Sequence, residues 1–74
     1  MDYTKILFEK YQTALLTPEQ VSEIIGRSVH SLEADRREGR GIPFVRVGGK
    51  PNSPVRYPIH EVSKYLNQVE QTVV

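Results

Sequence analysis

Residues 27–56 hold the side chains with the clearest chemical use, which is the binding of anions. This segment contains seven lysines and arginines against three aspartates and glutamates, a net charge of +4. The other 44 residues contain three basic and six acidic side chains, a net charge of −3. A cationic segment in an otherwise mildly anionic chain indicates a polyanionic partner such as nucleic acid. The alternative is that these cations pair with neighbouring carboxylates on an ordinary solvated surface.

The residue sets that catalysis and metal binding require do not occur in the sequence. There is no cysteine, and neither His30 nor His60 has a second histidine at ligand spacing. The serines have no histidine and aspartate arranged to activate them. Gly48-Gly49 lacks the strand–loop–helix context of a phosphate-binding loop. We therefore expect no enzyme, no bound metal and no cofactor.

Length and hydropathy restrict the class of protein further. A chain of 74 residues suffices for one domain with one small core. Its apolar runs are only a few residues long, so we expect no membrane-spanning segment. Residues 1–12 carry too many charges for a signal peptide. Because the chain has no cysteine, nothing points to an oxidising compartment, and a cytoplasmic protein without a membrane partner is the expectation.

The strongest local signals belong to two short helices. A threonine, a proline and a glutamine within residues 17–20 predict a helix start, and Gly26 predicts the end of that helix. Ser28 is the next N-cap and begins a second helix over about residues 29–38, which Gly39 ends. Two helices joined by a short turn that contains glycine form a helix-turn-helix.

Helical periodicity gives the directions of the side chains of the second helix. With Leu32 at the centre of the inner face, a rotation of 100° per residue sets the other positions. Ser28, Val29 and Arg36 are then predicted to point toward the core, His30, Ala34 and Arg37 to point away from it, and Ser31 and Glu33 to lie on the flanks. The apolar face is thin, so this helix depends on docking for its stability.

The remaining elements complete a winged helix-turn-helix order. Residues 2–13 predict a further helix with Asp2 as its N-cap. Residues 42–47 and 55–57 predict two strands of a β-hairpin with a polar loop, and Pro58 begins a last helix. The expected fold is mainly α with a small β-hairpin. Its expected parts are an N-terminal helical extension (1–15), a winged helix-turn-helix domain (16–69) and a frayed tail (70–74).

Residues 16–66 resemble the small DNA-binding proteins grouped with excisionases and AlpA-type prophage regulators. The resemblance lies in LLTPEQVSEIIGRS for the first helix and turn, SLEADRREGRGIPFVRVG for the second helix and first strand, and VRYPIHEVSKYL for the second strand and last helix. Many relatives carry tryptophan or tyrosine at the position of Asp35, a charged residue at that of Pro58, and a shorter hairpin tip. The resemblance implies a MerR-like winged helix-turn-helix that binds double-stranded DNA.

Two roles follow from this resemblance. An excisionase, or recombination directionality factor, would act beside an integrase, whereas a transcriptional regulator would bind a promoter. Because one such module makes few base contacts, we expect cooperative self-association on DNA repeats, with bending of the DNA, and residues 3–11 between neighbouring copies. A protein-interaction module that uses residues 3–11, such as an adaptor or antirepressor, and a terminase-like DNA-packaging domain stay open as alternatives.

The resemblance also places the candidate DNA-binding residues. The second helix would lie in the major groove, and the hairpin would lie on the adjacent minor groove or backbone. The candidates are Arg27, Ser28, His30, Ser31, Ala34 and Arg37 in the turn and helix, and Arg46, Lys50, Asn52 and Arg56 in the hairpin. Three side chains have competing structural roles: Ser28 as the N-cap, Arg36 as the partner of a carboxylate rather than of DNA, and Arg56 as the partner of Asp35.

Overall fold

The computed structural model describes residues 2–70, and it describes Glu70 by its backbone alone. Within these residues the chain folds into four helices and a three-stranded antiparallel sheet. The helices are α1 (Thr4–Tyr11), α2 (Pro18–Ile25), α3 (Val29–Arg37) and α4 (Ile59–Glu70), and the strands are β1 (Leu15–Leu16), β2 (Val45–Arg46) and β3 (Val55–Pro58). This mainly helical architecture is compatible with a helix-turn-helix followed by a wing. Of the predicted tail, residues 71–74 lie outside the described part of the chain.

Hydrogen bonds at the helix ends explain why α2 and α3 lie where the sequence predicts. The Thr17 hydroxyl accepts from the Gln20 N–H at 3.1 Å, and the Gln20 side chain accepts from the Thr17 N–H at 2.9 Å. Gly26 ends α2 with a φ of 74°, which a residue without Cβ adopts readily. The Ser28 hydroxyl accepts from the Ser31 N–H at 3.0 Å. The predicted capping role of Ser28 is therefore confirmed.

α1 has eight residues instead of the predicted twelve. Tyr3, rather than Asp2, occupies its N-cap position. The Asp2 carboxylate nevertheless accepts from the N–H of Thr4 at 2.9 Å, so it still satisfies one free donor of the first turn. The predicted N-terminal helix exists, but its N-cap was placed one residue too early.

The core gathers side chains from every helix. Its buried apolar members are Leu7, Leu16, Val21, Leu32, Ile42, Tyr57, Ile59 and Val62. Leu7 comes from α1, so this helix packs into the same core as α2 and α3. A backbone hydrogen bond of 2.9 Å from Ile59 to the carbonyl of Ala14 also ties the start of α4 to the segment that follows α1.

The sheet contains a strand that sequence reasoning missed. β1 pairs antiparallel with β3, with Leu16 opposite Tyr57, and β3 pairs antiparallel with β2, so the strand order is β1-β3-β2. β2 has two residues, whereas six were predicted. The difference arises because Ile42 is buried in the core and Pro43 has no N–H to donate to a neighbouring strand. We call β2, β3 and the connecting residues 47–54 the hairpin.

The inner face of α3 differs from the periodicity prediction. Leu32 is buried, as predicted, but Val29 is 37% exposed. Asp35, three residues after Leu32, is only 7% exposed and occupies the inner face instead. A carboxylate is stable at such a position only when other groups compensate its charge.

Candidate nucleic-acid interface

The outer face of α3 presents side chains that were predicted to meet DNA. His30 and Arg37 are exposed, and Ala34 is half-buried. These residues are spaced i, i+4 and i+7, so they lie along one side of the helix. The predicted outward directions of His30 and Arg37 are confirmed.

An ion-pair cluster joins the turn before α3 to the loop after it. Arg27 Nη1 lies 2.7 Å from Asp35 Oδ2, and Arg27 Nη2 donates a hydrogen bond to the hydroxyl of Ser31. Arg40 Nε lies 3.4 Å from the other carboxylate oxygen of Asp35. The hydrogen bond from Arg27 is the main reason that the pKa of the Asp35 carboxyl lies below its ordinary value.

This cluster contains two of the predicted DNA-binding residues. Arg27 and Ser31 both contact partners within the protein, and their DNA contacts stay predictions. Their engagement follows from the burial of Asp35, whose charge must be compensated where it lies. Gly41 allows this arrangement: its φ is 90°, and a Cβ there would lie 2.9 Å from the Cβ of Asp35.

Arg36 and Arg56 have neutral hydrogen-bond acceptors instead of the predicted carboxylates. Arg36 Nη1 donates to the Tyr57 hydroxyl at 2.6 Å. The same guanidinium lies 5.8 Å from the ring centroid of Phe44 and 5.9 Å from that of Tyr57. Arg56 Nη1 donates to a hairpin carbonyl at 2.7 Å. The alternative pairing of Arg56 with Asp35 does not occur, because Arg27 and Arg40 already hold that carboxylate.

The pairing of charges leaves the cationic excess on four side chains. Three arginines pair with the three carboxylates of residues 27–56: Arg27 with Asp35, Arg40 with Asp35 and Glu38, and Arg37 with Glu33. Within the part of the chain that the structure describes, the other four cations form no salt bridge: Arg36, Arg46, Lys50 and Arg56. These four side chains therefore account for the whole net charge of +4 of this segment.

A groove between α3 and the hairpin collects several of these charges. Its lining consists of Glu33, Arg36, Arg37, Arg46 and Val55, and we call it the α3–hairpin groove. Sequence reasoning proposed two of these residues as DNA ligands, Arg37 and Arg46, and left out Glu33 and Arg36. The sequence did contain a signal for this side of the helix, since residues 33, 36 and 37 are spaced i, i+3 and i+4 and lie on one face of α3. That the hairpin lies next to this face could not be inferred from residue spacing.

The tip of the hairpin is folded by its own hydrogen bonds. The N–H of Gly49 donates to the carbonyl of Arg46, and the N–H of Ser53 donates to the carbonyl of Lys50, both at 3.0 Å. The N–H of Lys50 donates to the Ser53 hydroxyl at 3.1 Å. The side chains of Lys50 and Asn52 remain exposed. An ordered tip presents these side chains to a ligand with less loss of backbone entropy than a flexible loop would.

Comparison of the chain with protein-family models, with curated proteins and with solved structures finds no match. The resemblance to excisionases and AlpA-type regulators therefore stays a prediction. Within residues 2–70, no group of three or more histidine and carboxylate side chains is placed to hold a metal ion. In the same residues, no helix combines the length and apolar character needed to cross a bilayer.

Proposed function

We propose that this chain binds double-stranded DNA with α3 and the hairpin, as a small MerR-like winged helix-turn-helix protein of a phage or mobile element. The observation that carries the proposal is the set of four cations without a carboxylate partner among the described residues, all on the hairpin or in the α3–hairpin groove. Cations that the fold itself does not neutralise are available to phosphates, and their binding releases condensed counterions from DNA.

The dimensions of α3 suit the reading of a major groove. An α-helix with its side chains is about 10–12 Å across, and the major groove of B-form DNA is about 12 Å wide, so the nine-residue α3 can lie in it. In this arrangement His30 approaches base edges from the first turn of the helix, Ala34 contacts a thymine methyl, and Arg37 contacts a phosphate. The hairpin reaches the adjacent minor groove or its phosphates with Lys50 and Asn52.

Within this class we propose a role as an excisionase, a transcriptional regulator or both. One module of this size makes few base contacts, so specific binding requires several copies side by side. We therefore expect cooperative binding to direct repeats with bending of the DNA. An integrase is the protein partner in the first role, and a promoter is the binding site in the second.

Selection from a random-sequence duplex library, followed by footprinting of the enriched sequences, tests this proposal. We expect protection of repeated sites in the footprint. We also expect the gel mobility of the protein–DNA complex to depend on where the site lies within the DNA fragment, which indicates bending. His30→Ala should relax the consensus of the selected DNA sequences. His60→Ala is the control: His60 is also exposed but lies on α4, and its replacement should leave the consensus unchanged. An isolated monomer site without bending would contradict the cooperative arrangement, and no enrichment at all would contradict DNA recognition.

A protein-interaction role is the second candidate, because α1 leaves apolar side chains in solvent. Ile6 is 52% exposed and Phe8 is 48% exposed, while Leu7 between them is buried. Such side chains are available to a protein partner. A protein complex that persists at high salt, with no shift of duplex DNA at low salt, would favour this role over DNA binding.

A further inference from the structure

The α3–hairpin groove holds one carboxylate among three guanidiniums. Glu33 Oε1 lies 3.4 Å from Arg37 Nη1, one helical turn away, and the two side chains are 54% and 65% exposed. Exposed pairs of this kind contribute little to stability, because water and salt screen them. An anionic ligand can therefore replace the Glu33 carboxylate beside Arg37 at small cost.

The other two guanidiniums of the groove are held in position by the hairpin. Arg36 donates to the Tyr57 hydroxyl, and Arg46 donates to the Ser53 carbonyl at 3.1 Å. Both guanidiniums also lie 5.8 Å from the ring centroid of Phe44. A guanidinium has several N–H donors in a planar fork, so these bonds leave further donors for a ligand. Because the side chains are already ordered, they lose little entropy when an anion binds.

We infer that Arg36, Arg37 and Arg46 form a binding site for one phosphate group of the DNA backbone, and that Glu33 competes with this phosphate for Arg37. The inference rests on the proposed function and specifies the ligand of the groove. Phosphate oxygens accept charge-assisted hydrogen bonds from several guanidiniums at once. Binding exchanges the Glu33 contact of Arg37 for a phosphate contact. Glu33 thereby weakens binding to every duplex by the same factor, whatever its sequence. Because contacts to the bases are unaffected, they make up a larger part of the total binding free energy.

A double-mutant cycle on a short random-sequence duplex tests this competition. Glu33→Gln keeps the size of the side chain and removes its charge, so we expect binding to tighten by about threefold or more and its salt dependence to become steeper. In the Arg37→Gln background, the same substitution should give a clearly smaller gain, since the competed guanidinium is gone. Glu19→Gln on α2 is the matched control. This substitution removes an exposed carboxylate outside the groove and should leave the affinity unchanged.

Two results would overturn the inference alone. An equal gain in both backgrounds would mean that Glu33 acts only through the general field of the protein, and an unchanged or weaker affinity of Glu33→Gln would mean that the carboxylate does not compete. A wild-type chain that binds no duplex at low salt would overturn the proposed function together with this inference. Because Glu33 and Arg37 are exposed, circular dichroism should show wild-type helix content in all variants.

Discussion

Replacement of Lys50 by alanine tests whether the uncompensated cations meet phosphates. The structure leaves four cations without a carboxylate partner in the described residues: Arg36, Arg46, Lys50 and Arg56. If Arg36 and Arg46 share one phosphate and Lys50 and Arg56 each contact another, the logarithm of the binding constant falls with that of the salt concentration at a slope of about −2.7. Affinity then drops about 40-fold between roughly 50 and 200 mM salt. Lys50→Ala should change the slope to about −1.8 and the drop to about 12-fold.

Fluorescence anisotropy of a labelled random-sequence duplex, titrated with protein at several salt concentrations, measures this slope directly. Lys64→Ala is the matched control, because Lys64 is also exposed but lies on α4 and does not line the groove. Its slope should equal that of the wild type. Equal changes of slope in both variants, or a wild-type slope close to zero, would show that Lys50 does not contact a phosphate.

Three further predictions concern the stability of the fold that positions the interface. Gly41→Ala should lower the free energy of unfolding in urea more than Gly26→Ala: both glycines have positive φ, but only at Gly41 would a Cβ meet Asp35, at 2.9 Å. Equal losses would contradict this clash. The free energy of unfolding of the wild type should decline below about pH 4. Arg27 lowers the pKa of the Asp35 carboxyl in the folded state. The ionised carboxylate therefore stabilises the fold above the unfolded pKa, and this stabilisation is lost as pH falls through the folded pKa. Asp35→Asn should remove part of this decline in thermal melts across pH, and an unchanged pH profile would argue against it. Tyr57→Phe should cost about 1–2 kcal/mol of unfolding free energy, because its buried hydroxyl accepts from a guanidinium of α3; a loss within error would contradict that bond.

The helices around the turn were predictable because their boundaries depend on neighbours in sequence. The bonds between Thr17 and Gln20 join residues three apart, and the hydroxyl of Ser28 accepts from the N–H three residues on. Bonds of this kind form within a single turn, whatever the rest of the chain does. The outward direction of His30 follows from helical geometry once Leu32 is placed inward.

Contacts between distant residues were not predictable in the same way. The hydrogen bond of Arg36 joins it to Tyr57, 21 positions along the chain, and Leu16 pairs with the same tyrosine across the sheet. Neither contact leaves a pattern in the local sequence, so β1 was missed and Arg36 was paired with the wrong kind of acceptor. Predicted strand 42–47 was too long for a related reason, since the core, rather than the strand propensity of the segment, determines the position of Ile42.

The net charge of residues 27–56, the two helices around the turn and the exposed face of α3 could be read from the amino-acid sequence alone. Which side chains of this segment keep their charge unpaired depends on contacts between residues that the fold brings together. Asp35 is buried and its carboxylate must be compensated where it lies, so the arginines nearest in space become its partners. The cations of the hairpin, together with Arg36, are left without a carboxylate partner among the described residues.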